Sequence, residues 1–165
     1  MSSIPKYLYH LTNYMNIYSI IQYGLGSKIG KGIDLHLSQK DKIYFIDFDP
    51  EIYLRQSLDT LDEKQKSQLE LLLRICLLIS FDCKYLKFCI IKIDTKDIDK
   101  TRLLRRDQDI LSGSSKSEED FVYIYYGTIK EYDIFVYEMI DSNKIKFNIT
   151  NEDSSYHNIY FKKLL

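Results

Sequence analysis

The residue that promises chemistry first is His10. It stands in Tyr7-Leu8-Tyr9-His10-Leu11-Thr12, where apolar and β-prone residues lead into it and a polar turn follows at Thr12-Asn13. A histidine at a strand end, above a helix N-terminus, is well placed to hold a polar ligand. The second group is acidic: Glu118-Glu119-Asp120 runs directly into the strand-like Phe121-Val122-Tyr123-Ile124-Tyr125-Tyr126-Gly127. Aromatic residues form the third, with Tyr44 in a compact β-rich run and Tyr53 shortly after it. Arg105-Arg106 offers a contact for a phosphate, but it lies in a charge-dense run, residues 97–109, that reads as a solvated face. His36, in a short alternating piece, and His157, in a polar stretch, read as structural or solvent-facing.

Other chemistries lack their residues. Cys76, Cys83 and Cys89 are odd in number, have no CxxC spacing and no paired histidines nearby, which argues against a disulfide framework and against a zinc site. Cys76 and Cys89 sit in apolar runs and read as buried thiols. Gly26, Gly30 and Gly32 lie in a polar loop over residues 25–42, without P-loop spacing and without a following Gly-Lys-Ser/Thr. No glycine-framed serine or cysteine nucleophile is present. The metal-ligand set is therefore expected to be empty.

The elements that must position these residues follow from the patterning. Asn13 suits a helix N-cap, Met15, Ile17, Tyr18, Ile20 and Ile21 form a broad apolar face, and Gly24 can close the helix. Lys42–Asp47 predicts a strand, and Asp49-Pro50 opens a helix through Arg55. The spacing predicts the longest helix over Glu63–Ser80, amphipathic at first and buried nearly all round toward its end. Leu86–Asp94 predicts a central strand, and further strands are expected over residues 121–127, 131–140, 145–150 and 159–161. Glu138 falls mid-strand, facing solvent or a lysine partner. No repeat and no linker divides the chain, so a single domain over residues 1–165 is expected.

Three of these segments together resemble the ADP-ribosyltransferases, on the diphtheria-toxin and poly(ADP-ribose) polymerase side of that superfamily. Tyr9-His10-Leu11-Thr12 with Ile20, Ile21, Gly24 and Leu25 resembles the first motif, an apolar–His–x–Ser/Thr strand before a helix ending in Gly-Leu. Ile43-Tyr44-Phe45 followed by a helix carrying Tyr53 resembles the second. Glu119-Asp120 at the start of a strong strand, with Ile129 after it, resembles the third. The register departs from the family here. Counting back from Ile129 puts Asp120 at the family position and Glu119 one residue earlier, and a one-residue shift turns a strand side chain to the other face. RNA 2′-phosphotransferases, which share the fold and also use NAD, begin similarly.

The resemblance implies an α+β fold, with two small antiparallel sheets around an NAD cleft and flanking helices. It implies NAD as substrate, with His10, Leu11 and Thr12 in the cofactor-binding segment, His10 on a ribose and Thr12 supporting the loop. Tyr44 and Tyr53 would sandwich the nicotinamide, since a flat cationic ring is held well between electron-rich faces. Glu119 or Asp120 would supply the catalytic carboxylate, with His10 and Tyr44 beside it, because a fixed anion stabilises the positive charge that develops as the glycosidic bond breaks. The residue 25–42 loop would cross the mouth of the site. The implied activity is transfer of ADP-ribose to a macromolecular acceptor, protein or nucleic acid, with release of nicotinamide, as in a toxin, an effector or a phage–host conflict enzyme. A cognate antitoxin or immunity protein belongs among the expected partners. Two alternatives stay open: a catalytically inactive binding module on the same fold, and an RNA 2′-phosphotransferase-like enzyme.

Composition fits a globular chain. Of 165 residues, 45% are hydrophobic and 28% charged, ordinary for a soluble domain. The net charge of −1 gives no bulk attraction to nucleic acid or to an anionic membrane, although a local basic patch would suffice for a nucleic-acid substrate. No signal peptide is visible and the longest apolar stretches fall far short of a span, so no membrane partner and a cytoplasmic location, in the producer or in a target cell, are expected.

Overall fold

Short β-prone runs alternate with three helical segments, and the strands assemble into one antiparallel sheet. The structure, a computed structural model, describes residues 3–26, 42–55, 61–79, 87–105, 121–139 and 161–163. Its strands are β1 (Tyr7–Asn13), β2 (Lys42–Ile46), β3 (Lys87–Asp94), β4 (Leu103–Arg105), β5 (Val122–Tyr126), β6 (Asp133–Met139) and β7 (Phe161–Lys163). Its α-helices are α1 (Ile17–Tyr23), α2 (Glu51–Arg55) and α3 (Glu63–Ile79). The strand order is β4-β5-β2-β1-β3-β6-β7, and every neighbouring pair is antiparallel. The chain is therefore α+β. The two separate sheets expected from the sequence are joined among the described strands into one, because β1 pairs with both β2 and β3.

Strand alternation sends successive side chains to opposite faces, and both faces are covered. On one face Tyr9 and Leu11 of β1, Phe88 and Ile90 of β3 and Tyr137 of β6 pack under α2 and α3. On the other, Leu8, Phe45, Ile91 and Ile93 pack with Ile20 of α1. A sheet covered on both faces explains why β3 reads Phe-Cys-Ile-Ile with no polar alternation. Burying each such side chain contributes about 1.5–3 kcal/mol. Phe88 and Tyr137 stack with centroids 5.6 Å apart at 20°. The Tyr137 hydroxyl, carried into the core, donates to the Glu51 carboxylate, so the buried phenol is satisfied.

The helix ends follow their sequence signals. Asp49 Oδ1 accepts the Glu51 N–H at 2.9 Å, which caps α2, and Pro50 stands directly before the helix. Glu63 to Ser67 at the start of α3 are exposed or half-buried, whereas Gln68, Leu71, Leu72, Leu73 and Cys76 are buried. The Cys76 thiol is pushed up to about 12 by burial, and that of Cys89 to about 11, again by burial first.

Four expectations need correction. His10, expected at a strand end above a helix N-terminus, is the middle residue of β1. Asn13 is the last residue of β1 and caps a 3-10 turn (Tyr14–Asn16), accepting the Met15 N–H at 2.9 Å; α1 starts only at Ile17. The predicted apolar face of this helix is largely outside: Met15 is 81% exposed, Tyr18 71% and Ile21 64%, and Ile20 alone in α1 is buried. The 97–109 run holds the short strand β4, which pairs with β5 through Leu103, Leu104 and Arg105. The residues expected at 145–150, with His36, Cys83 and His157, lie outside the described residues.

Gly24 closes α1 as predicted, but not in the left-handed conformation expected of a glycine helix stop. Its φ of 92° and ψ of 163° lie outside the left-handed helical region, and its N–H still donates to Ile20 O at 2.8 Å. A Cβ here would stand 2.8 Å from Thr128 Cγ2, so only glycine fits without a shift. Directly after it Leu25 and Ile129 exchange both backbone hydrogen bonds, at 2.8 and 2.9 Å, which ties the end of α1 to the turn after β5.

Candidate functional site

β1 has two unlike edges. Against β3 it is zipped in seven registered pairs, from Tyr7–Asp94 to Asn13–Phe88. Against β2 it holds one, Tyr9–Ile46, although β2 is itself paired with β5 in five. The sheet is therefore nearly divided between β2 and β1. Beyond the single pair, a side chain takes over from the backbone ladder: His10 Nδ1 lies 2.8 Å from Tyr44 O.

That contact fixes which nitrogen carries a proton. A carbonyl only accepts, so Nδ1 carries the proton and donates, and Nε2 is the acceptor in the neutral ring. Burial lowers the His10 pKa from its ordinary value, opposed by the bond to the Tyr44 carbonyl. The ring stands edge-on to Phe45, centroids 6.0 Å apart at 68°. An oriented, neutral histidine with a lone pair at Nε2 can receive a ligand hydroxyl, such as that of a sugar.

The segment after His10 is held by its own polar side chains. Thr12, buried, accepts from Asn16 Nδ2 at 2.9 Å through its Oγ1. Asn13 Nδ2 reaches the Ile79 carbonyl at 3.4 Å, a weak tie from the end of β1 to the last turn of α3. Leu11 is a core residue on the α2–α3 side.

Tyr44 and Tyr53 pack against the same cluster on that side, as partly buried rings. Tyr53 is edge-on to Phe48, with centroids 5.8 Å apart at 86°, and its hydroxyl donates to Gln68 Oε1 on α3. Its phenol pKa is raised, by burial first and then by Asp62. On the same side Tyr9 has its phenol pushed up to about 12, by burial first, with Asp49 and Glu51 adding to it.

The structure thus brings Tyr44 and Tyr53 into one cluster and sets His10 against Phe45 of the other. His10 meets Tyr44 through the backbone carbonyl, so the imidazole and the Tyr44 ring take opposite faces of the sheet, and Tyr53 packs on the Tyr44 side. Glu119 and Asp120 lie outside the described residues. The chain enters β5 at Phe121, whose carbonyl accepts the Asp47 N–H at 3.0 Å and whose ring is 5.9 Å from that of Phe48. Phe121 therefore anchors at the end of β2 that leads to Tyr53.

Sequence reasoning missed Gln68 and Phe48, the two residues that hold the Tyr53 ring. Gln68 had a signal: it is the polar member of the stripe Gln68, Leu72, Cys76 and Ile79 on α3, at the three- and four-residue spacing of a helix face. Among the described residues no three His, Cys, Asp or Glu side chains converge as a metal site, and no helix is long and apolar enough to cross a membrane. Comparison of the chain with protein-family models, with curated proteins and with solved structures finds no match.

Proposed function

We propose that the protein is an NAD-dependent ADP-ribosyltransferase whose NAD site lies at the seam between β1 and β2. The observation that carries this is the anchored, neutral His10 bridging the seam to the Tyr44 carbonyl. Its Nε2 lone pair would accept a ribose hydroxyl, and the bond at Nδ1 keeps the ring in the tautomer that this requires.

Tyr44 and Tyr53, rings packed against the cluster on the α2–α3 side, are the candidates for nicotinamide contact. The His10 imidazole and the Tyr44 ring lie on opposite faces, and the Tyr9–Ile46 pair with the 2.8 Å His10–Tyr44 contact closes the sheet between them, so one dinucleotide touches both only if β1 and β2 part on binding. Glu119 or Asp120, just ahead of the anchored Phe121, is the candidate carboxylate. In the reaction the glycosidic bond between C1′ and the nicotinamide nitrogen breaks, and nicotinamide leaves as a neutral molecule with the bonding pair. A nucleophile of a protein or nucleic-acid acceptor attacks C1′ and gives up its proton. The carboxylate would stabilise the charge on the sugar between those events.

The test is labelled NAD incubated with the protein and a cell lysate. Label transferred to macromolecules by the wild type, and lost in His10→Gln, supports the transferase. NAD that raises the melting temperature without any transfer favours the inactive module. Neither binding nor transfer contradicts the NAD site outright.

A further inference from the structure

We propose that Gln68 is the positioning residue for Tyr53, fixing the nicotinamide-facing ring through its hydroxyl; this rests on the NAD site proposed above. The side chain of Gln68 is 9% exposed, in a helix stripe otherwise made of Leu72, Cys76 and Ile79. A polar amide in such a place is costly unless it is used. Its carbonyl oxygen is used: it accepts the Tyr53 hydroxyl.

The rest of the Tyr53 environment shows what the contact adds. α2 is only five residues long, barely more than a turn, and a helix of that length cannot fix the direction of a long side chain by itself. Its backbone is pinned by the Asp49 cap and by Tyr53 N and Leu54 N donating to Pro50 O at 3.1 and 3.2 Å. Phe48 holds one edge of the ring. Gln68, fifteen residues along the chain and on a different helix, holds the far end. The ring is thus fixed at its backbone, its edge and its hydroxyl, so little freedom remains to be lost when a flat ligand stacks on it. The acceptor also requires the phenol to stay protonated, and its raised pKa agrees with that.

The experiment compares Gln68→Met, Gln68→Glu, Tyr53→Phe and the double variant Gln68→Met/Tyr53→Phe, as full-length proteins. The readouts are KM for NAD and kcat in nicotinamide release. Methionine matches the length of glutamine and removes the acceptor, whereas glutamate keeps one. Gln68→Met is expected to raise KM about threefold to tenfold, the effect of one hydrogen bond, with kcat nearly unchanged. Tyr53→Phe should match it, the double variant should be no worse than either single, and Gln68→Glu should restore a near wild-type KM. A Gln68→Met protein whose melting temperature moves while KM does not overturns the positioning role, as does a double variant whose effects add. Wild-type protein that neither cleaves NAD nor melts higher in its presence overturns the NAD site itself and this role with it, and no result from the variants would then be needed.

Discussion

The two edges of β1 are built on different principles. Toward β3 it is held by a backbone ladder along its whole length, with Leu8, Phe88, Ile91 and Tyr137 sealed in the clusters on either face. Toward β2 the ladder stops at Tyr9–Ile46, and His10 spans the gap with a side chain. A ladder gives strength and leaves its backbone groups committed. A side-chain bridge gives less strength and leaves an oriented polar group at the seam. The same strand therefore serves as scaffold on one edge and as a candidate binding site on the other.

This contrast can be broken by mutation. Phe88→Ala on the zipped side should cost about 3–5 kcal/mol, because it removes a stacked ring from a sealed core and leaves a cavity beside Tyr137. Denaturant unfolding checks it, and a loss under about 1 kcal/mol would mean that this side is not close-packed. His10→Ala at the seam should cost only about 1–2 kcal/mol, the scale of one hydrogen bond and one acceptor left without its donor. Its effect on NAD cleavage should be far larger, about a hundredfold, so activity and stability part company at this residue.

The pH dependence sharpens the comparison. His10 binds its proton more weakly in the fold than in the unfolded chain, so it contributes stability above the ordinary imidazole value of 6.5 and loses it as pH falls from there toward the lowered folded value. Stability measured from pH 7.5 down to about 5 should therefore decline, and the slope should shrink in His10→Gln. An unchanged slope would remove His10 as its source. The smallest effect is expected at Cys89, which pairs in register with Thr12 on the zipped edge and is fully buried. In a Cys83→Ser background, alkylation of Cys89 should be negligible in the native state and appear only at denaturant concentrations that unfold the whole protein. Rapid native-state labelling would show that the zipped edge opens locally.

Much of the scaffold was legible because its signals are local. The Asp49-Pro50 start of α2, the long apolar-tailed α3, the Phe-Cys-Ile-Ile run of β3 and the glycine after α1 each announce themselves within a few residues. β4 was hidden because three residues in a charged run carry too short a pattern, although Leu103-Leu104 was its trace. The apolar residues of α1 misled: periodicity states which side chains share a face, but burial depends on whether another element arrives to cover it. Strand parity could have foretold that His10 and the Tyr44 ring take different sides once the Tyr9–Ile46 pairing was known, but that pairing is a long-range fact. The ties of Tyr53 to Gln68 and of Tyr137 to Glu51 cross between elements and have no local signature.

Nicotinamide release from NAD by the purified protein is the decisive measurement for an NAD site at the seam beside His10. Measurable release by the wild type is expected, lost in His10→Ala and in Tyr44→Ala while both variants still unfold cooperatively. Release that persists in both, or a wild type that releases no nicotinamide and shows no NAD-dependent rise in melting temperature, would contradict it.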